Sequence, residues 1–182
     1  MRKPDADEFR WNLSTFIAYG FKSISHFCWA SPDRVSVEDG GEDMRDHVID
    51  QEGKRTALYE PAVYYNWQIR QLGDFLMGID CVHAYHSGAN TPEGVELLPK
   101  NFLLQPKNKS DNFIVSLFTS KDDSEKYIIL MNNSTSESRT AAFTVASESG
   151  VTGLTEIDDT IDREKLPDYA DLENTLGELS RT

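Results

Sequence analysis

The sequence predicts an α+β protein in which a helix, a strand and a second helix are followed by an all-β antiparallel sandwich. Up to about residue 80, two segments with apolar residues at helical spacing flank a short apolar run. After Cys81, β-prone runs of strand length alternate with turn-forming segments, which is typical of a sandwich or small barrel. The predicted divisions are therefore 1–80, a β-sandwich domain over 81–158 that need not be complete, and an acidic tail over 159–182.

The first helix is predicted to begin at Asp5 and to end at Tyr19. Asp5 and Glu8 have the spacing of a capping box, and Gly20 can take the left-handed conformation that often closes a helix. One face of this helix is apolar and carries Phe9, Leu13, Phe16 and Ile17. We expect that face to pack against the rest of the protein.

The segment from Ser23 to Trp29 is predicted to be a buried strand that ends at Ser31-Pro32. Because helical patterns precede and follow it, the segment has the layout of one step in a parallel sheet. A strand of that kind needs neighbouring strands and helices over both faces. The acidic connection over 33–57 leaves its C-terminal end, where α/β folds place ligand-binding loops, and is predicted to be functional.

The clearest helical pattern runs from Leu58 to Leu76, where apolar residues repeat at alternating steps of four and three. Pro61 is compatible with the first turn of this helix. The opposite, polar face is predicted to carry Asn66, Arg70, Gln71 and Asp74. The pattern indicates an amphipathic helix that lies on a sheet.

Five β-prone runs follow: CVHAYH, NFLLQ, NFIVSLFTS, KYIILMNN and TAAFTVAS. The third and fourth runs are predicted to form a hairpin, with the turn over Lys121 to Glu125. In the first run, His83 and His86 would point to opposite faces of a strand, which disfavours joint metal ligation. His26 is predicted to be a core histidine whose hydrogen bonds are satisfied. The carboxylates of the acidic connection, Glu38, Glu42 and Asp43, are predicted to be solvated.

Charge and composition limit the partners. The formal charge is −13, with 31 acidic and 18 basic residues, which argues against nucleic acid because phosphate binding needs a clustered basic face. Cys28 and Cys81 are predicted to be buried reduced thiols. No apolar stretch reaches membrane-spanning length, and the first residues lack a signal-peptide core. The expectation is a cytoplasmic protein, or a secreted or periplasmic one if an N-terminal signal precedes this sequence.

One parallel strand with two helices cannot bury its own apolar faces. Either the strand pairs with the later β-rich region in a small α+β domain, or the sequence begins within a larger domain. Two stretches favour the second reading, FRWNLSTFIAYGFKSISHFCWASP and HVIDQEGKRTALYEPAVYYNWQIRQLGDFL. They resemble the closing units of the (β/α)8-barrel glycoside hydrolases, particularly the β-galactosidase-like enzymes with a C-terminal β-sandwich.

The features that carry this resemblance occur in the same order as in the family. They are Arg10-Trp11 opening a helix, Ala18-Tyr19-Gly20 closing it, an aromatic strand ending in Trp and Pro, IDQEGKRTALY before the last helix, and Asn66 within that helix. The resemblance spans about residues 8 to 158. It implies a barrel remnant, in which residues 1–80 supply the seventh helix, the eighth strand and the eighth helix.

The resemblance implies that the complete enzyme hydrolyses β-linked galactosides or related sugars. In the family the two catalytic glutamates follow the fourth and seventh strands, so no catalytic residue is carried over to this sequence, and the chain alone is predicted to be inactive. Trp29 matches the aromatic residue that ends the eighth strand and forms a wall for the sugar. It is therefore the predicted substrate-binding residue.

No metal and no cofactor are expected. The predicted partners are a carbohydrate substrate and the missing N-terminal barrel portion, or a second copy of the chain through exposed apolar helix faces. The alternative hypothesis is a non-catalytic module, in which a β-sandwich with a helical preface binds carbohydrate or packs against a catalytic partner.

Overall fold

The computed structural model describes residues 4–26, 29–30, 47–89 and 91–146, together with residues 151, 154, 155 and 157. These ranges contain helices α1 (Ala6–Ala18), α2 (Tyr59–Gln71) and α3 (Gly73–Gly78), followed by strands β1 (Ile79–His86), β2 (Glu96–Leu97), β3 (Leu104–Pro106), β4 (Phe113–Ser120), β5 (Lys126–Asn132) and β6 (Phe143–Val145). The predicted mixed class, with helices followed by mostly antiparallel sheets, is confirmed at this level. Within these ranges the strands close no barrel, and none of the helices has the length and apolar character to cross a membrane.

Helix α1 begins and ends through local sequence signals. The Asp5 carboxylate accepts from the Glu8 N–H at 2.9 Å, and the Glu8 carboxylate accepts from the Asp5 N–H at 3.0 Å, which is the predicted capping box. At the other end Gly20 has φ of +81°, and the Phe21 N–H donates to the Phe16 carbonyl at 3.0 Å, as in a Schellman motif. The rings of Phe16 and Phe21 pack edge to face across this turn, with centroids 5.4 Å apart.

The prediction of a strand from Ser23 to Trp29 is wrong where the structure describes that segment. Residues 23–26 belong to no strand, and residues 27 and 28 lie outside the described ranges. Beyond them, Ala30 makes an isolated parallel bridge to Ile49. The physical reason is that a strand exists only beside a partner that takes up its backbone N–H and C=O groups. None of the described strands lies next to residues 23–26.

The second helical pattern forms two helices rather than the single helix predicted from Leu58 to Leu76. Helix α2 ends at Gln71, and α3 starts at Gly73, with Leu72 as the cap residue between them. A glycine at this position weakens the helix because it loses more backbone entropy than other residues. The Lys22 ammonium donates to the carbonyls of Leu76, at 2.6 Å, and Ile79, so it satisfies acceptors at the end of α3.

The β-rich region contains a four-stranded sheet in the order β2-β1-β4-β5. The predicted hairpin of β4 and β5 is confirmed, and Asp123 in its turn has φ of +59°. Strand β2 was not predicted, because its two residues lie in the short segment between the turn-forming residues that end at Gly94 and the run NFLLQ. It pairs parallel to β1, with Glu96 opposite Tyr85.

Strands β3 and β6 form a second, antiparallel sheet. Both are shorter than the runs NFLLQ and TAAFTVAS that predicted them, and β3 ends at Pro106, which is compatible with a strand that has an open edge. The rings of Phe113 on β4 and Phe143 on β6 have centroids 5.2 Å apart. The two sheets therefore contact each other through aromatic side chains.

Helix α1 packs on one face of the four-stranded sheet. Ala18 forms a buried cluster with Ile114 and Met131, and Trp11 packs against it. The Trp11 indole N–H donates to the Asn133 side-chain oxygen at 2.9 Å. The N-terminal helix and the strands therefore share one apolar core.

The same interface contains a buried histidine. His86 is 5 % exposed, and its Nε2 lies 2.7 Å from the Tyr19 hydroxyl at the end of α1. No hydrogen-bond partner for its Nδ1 is found among the described residues. Burial lowers the pKa of His86 below its ordinary value of 6.5, because the charged imidazolium would be poorly solvated there.

The contact between Gly20 and Cys81 gives a first prediction. A Cβ added at Gly20 would lie 2.4 Å from the Cys81 Cβ, whereas Gly53, with φ of +77°, has nothing within 4 Å of an added Cβ. Gly20→Ala should lower the free energy of unfolding by at least about 2 kcal/mol, since left-handed strain and steric overlap combine. Gly53→Ala, the matched control, should lose about 1 kcal/mol from strain alone. Urea unfolding followed by circular dichroism measures both; equal losses would contradict the close packing.

The buried histidine predicts a pH dependence of stability. Because the pKa of His86 is lower in the folded state, the unfolded chain binds the proton more tightly than the folded chain does. The contribution of neutral His86 to the unfolding free energy is therefore complete above about pH 6.5, and it is lost as the pH falls through the lowered pKa. His86→Gln cannot titrate, so its unfolding free energy should change less between about pH 7 and pH 5. Tyr19→Phe should lose about 1 kcal/mol but keep the pH slope. Urea titrations at several pH values test this, and equal slopes for wild type and His86→Gln would refute it.

Candidate functional site

Trp29, the predicted substrate-binding residue, combines an anchored backbone with a partly open side chain. Its carbonyl accepts from the Ile49 N–H at 3.1 Å, and the next residue, Ala30, bridges Ile49. Ile49 in turn forms an antiparallel bridge to Arg55. The tryptophan itself is 39 % exposed. An indole held in this way can offer a ring face to a ligand without first being ordered.

Two further rings support the Trp29 indole. The rings of Trp29 and His26 have centroids 5.5 Å apart at 58°. His26 also stacks on Phe9 of α1, with centroids 5.3 Å apart and an interplanar angle of 12°. The three rings form a continuous aromatic cluster, named here the Trp29 cluster.

His26 is fixed by a hydrogen bond from the second helical region. Its Nε2 lies 3.0 Å from Oδ1 of Asn66 on α2. Since a side-chain carbonyl oxygen can only accept, this assignment places a proton on Nε2. This hydrogen bond agrees with the prediction that His26 has hydrogen-bond partners. His26 is half-buried, however, and not enclosed in the core as predicted.

Asn66 does not share the exposure of the other residues of the predicted polar face. Arg70, Gln71 and Asp74 are exposed as predicted, whereas Asn66 is half-buried and faces His26. It follows the buried Ala62 by four residues, so it belongs to the same helical stripe. That spacing was the sequence signal that could have identified Asn66 as part of the site.

An apolar groove of about 200 Å³ lies between the end of α1 and helices α2 and α3. Asn66 is part of its lining, and the apolar lining residues are Ile17, Phe21, Ile24, Ile69, Leu76 and Met77. Phe21 and Met77 are 58 % and 57 % exposed. The groove therefore leaves substantial apolar surface in contact with solvent close to the Trp29 cluster.

The other candidate residues do not converge on Trp29. His83 is exposed and pairs with Glu96, whereas His86 is buried, so the two histidines are separated as predicted. The described ranges contain no group of three or more His, Cys, Asp or Glu that could hold a metal ion. The loop carboxylates, Glu38, Glu42 and Asp43, lie outside the described residues.

Of the two cysteines predicted to be buried thiols, Cys81 lies within the described ranges. Cys81 is a free, half-buried thiol, and burial raises its pKa above the ordinary value. A raised pKa keeps the thiol protonated and therefore poorly nucleophilic. Cys28 lies outside the described residues.

Comparisons with protein-family models, with curated proteins and with solved structures give no match for this chain. The described contacts of Trp29 and His26 are with aromatic rings and one amide. Such groups can bind and orient a ligand, but they do not provide the pair of carboxyl groups that glycoside hydrolysis needs.

Removing the Asn66 amide tests whether α2 positions the cluster. In Asn66→Ala the proton on His26 Nε2 loses its acceptor, so we expect a loss of about 1 kcal/mol in unfolding free energy. The Trp29 indole N–H signal should shift in a ¹H–¹⁵N spectrum, because His26 is free to reorient beneath it. Gln71→Ala, an exposed position of the same helix, is the control and should leave that signal in place. An unchanged Trp29 signal in Asn66→Ala would show that the cluster does not depend on this bond.

Proposed function

We propose that this chain is the C-terminal portion of a glycoside hydrolase acting on β-linked galactosides or related sugars, and that Trp29 contacts the sugar. The observation that carries the proposal is the half-open Trp29 indole on an anchored backbone, backed by His26. A flat indole face suits the apolar C–H face of a pyranose ring. The Asn66 amide, which fixes His26, acts as a positioning group.

In the proposed architecture, α1 is the seventh helix of a (β/α)8 barrel, and α2 with α3 form the eighth helix. Residues 23–26 form no strand in this chain, and they would join an eighth strand only beside the rest of the barrel. The strands β1 to β6 then belong to the sandwich that follows the barrel. Two features support this assignment. Residues 23–26 lack a described neighbouring strand, and Phe21 and Met77 leave the groove apolar and open. The remainder of a barrel would supply the missing strand and cover the groove.

The proposed role of this chain is substrate binding without bond cleavage. A retaining glycosidase needs two carboxyl groups about 5–5.5 Å apart, on either side of the scissile bond. The described surroundings of Trp29 offer rings and an amide instead. The catalytic acid and nucleophile would therefore come from the N-terminal barrel portion, which is the proposed partner; a second copy covering the groove is the alternative partner.

The test uses the three indole N–H signals of the ¹⁵N-labelled chain during titration with methyl β-galactoside and lactose. We expect the Trp29 signal to shift, while that of Trp11 stays fixed because its N–H is bonded to Asn133 inside the protein. Trp29→Ala should abolish sugar binding at the Trp29 cluster because the stacking surface is removed. Trp67→Ala is the matched control and should bind as wild type, since Trp67 contacts Arg70 on α2 instead.

The same chain is expected not to turn over nitrophenyl β-galactoside. Turnover that disappears on substitution of one of its own residues would contradict the assignment of catalysis to the missing portion. A titration with no shift of the Trp29 signal would contradict the proposed sugar contact. Sugar binding by a stable monomer whose natural product is this chain alone would favour the alternative, a non-catalytic carbohydrate-binding or interaction module.

A further inference from the structure

A second group of rings lies on the four-stranded sheet, on the face opposite α1. Side chains alternate along β1, and Ala84 and His86 pack towards α1. His83 and Tyr85 therefore point to the other face. Glu96 joins them there because it lies opposite Tyr85 in the parallel pairing of β1 and β2.

These side chains form an ordered surface. The rings of His83 and Tyr85 are stacked, with centroids 5.0 Å apart and an interplanar angle of 16°. Phe102 contacts Tyr85 edge to face at 5.2 Å and 67°. The His83 Nδ1 lies 3.2 Å from the Glu96 Oε2. The contacts with His83 and Phe102 thus hold the Tyr85 ring in place.

The exposure of the polar pair indicates what this surface can accept. The side chains of His83 and Glu96 are 43 % and 63 % exposed, and covering them with an apolar protein layer would strip both of water. A carboxylate has about four acceptor sites, and one contact to His83 leaves others for a ligand's hydroxyl groups. Aromatic rings beside such acceptors complement a molecule with apolar C–H faces and a rim of hydroxyl donors.

Charge narrows the ligand class further. The chain carries a net charge of −13, and Glu96 adds a local negative charge, so an anionic ligand would be repelled. A neutral pyranose unit carries no charge and is not repelled. The Glu96 carboxylate accepts strong hydrogen bonds from the sugar hydroxyl groups, and the aromatic rings contact the apolar C–H face of the sugar.

We propose that His83, Tyr85, Phe102 and Glu96 form a second carbohydrate-binding surface, which takes neutral pyranose units of an oligosaccharide or polysaccharide. This surface lies on β1, β2 and the segment before β3, whereas the Trp29 cluster is built from α1, α2 and the segment between them. The inference goes beyond the proposed function and does not rest on it. The sheet surface would hold a sugar chain whether or not Trp29 contacts substrate.

The experiment is affinity electrophoresis of the whole chain in gels containing soluble β-galactan, arabinoxylan or glucomannan, with affinities from calorimetry. Tyr85→Ala should weaken binding at least about fivefold through loss of the ring face. Tyr85→Phe keeps the ring and should stay within about twofold of wild type. Glu96→Gln, which keeps the shape but removes the charge, should weaken binding about threefold or more. Circular dichroism confirms that each variant is folded.

Tyr127→Ala is the control for loss of a tyrosine from the same sheet. Tyr127 lies on β5 and packs on Phe75 of α3, with ring centroids 5.0 Å apart, so this variant should bind sugar as wild type. Binding that is unaffected by both Tyr85→Ala and Glu96→Gln, or no retention by any of the three polysaccharides, would overturn the inference.

A site-specific readout separates this inference from the proposed function. The His83 ring signals should shift when galacto-oligosaccharide is added, in wild type and in Trp29→Ala alike. A shift at His83 without one at Trp29 would support the sheet surface and contradict the sugar contact of Trp29. A shift at Trp29 without one at His83 would support the sugar contact of Trp29 and contradict the sheet surface.

Discussion

The close approach of α1 to the start of β1 determines how the N-terminal segment and the sheet fit together. Gly20 lies so near Cys81 that there is no space for a side chain, and the Cys81 sulfur is 3.8 Å from the Ala18 carbonyl. On one side of this contact Ala18 enters the core with Ile114, and on the other Tyr19 reaches His86. The positive φ of Gly20 permits both, because the chain can end the helix and turn away within one residue.

The Trp29 cluster is a consequence of that turn. After the Schellman motif the chain passes α3, where Lys22 binds the carbonyls of Leu76 and Ile79. It then brings His26 between Phe9 on α1 and Asn66 on α2. The site therefore needs no strand of its own, since helix packing on one side and the Ala30 bridge to Ile49 on the other position the rings.

Features governed by residues close in sequence were predictable, and features governed by distant partners were not. The capping box of Asp5 and Glu8 and the hairpin turn around Asp123 depend on a few neighbouring residues, and both appear in the structure. The predicted strand is absent over residues 23–26, which the structure describes, because its pattern indicates a buried extended segment but cannot supply the neighbour that makes it a strand. Strand β2 is the converse case, because its two residues form a strand only by pairing with β1, which is distant from the local pattern around them.

The site shows the same division. The prediction that Trp29 binds substrate came from a family resemblance. The prediction that Asn66 lies on an exposed polar face came from the helical spacing of the apolar residues around it. Arg70 on α2 and Asp74 on α3 are exposed, but Asn66 shares the stripe of Ala62 on α2 and turns inward. A polar residue at a buried helical position needs a partner. The pairing with His26 could be read only once the fold had brought residues forty positions apart together.

The distribution of carboxylates explains why both proposed surfaces are assigned to binding. Around Trp29 the described contacts are rings and an amide, and on the proposed sheet surface His83 lies beside the Glu96 carboxylate. Hydrolysis with retention requires two carboxyl groups on opposite sides of one bond, one of them protonated. A single exposed carboxylate beside an imidazole cannot meet that requirement, although it can accept hydrogen bonds from hydroxyl groups. In the proposed assignments, the Trp29 cluster and the sheet surface therefore bind sugar, and bond cleavage would require carboxyl groups from outside these two surfaces.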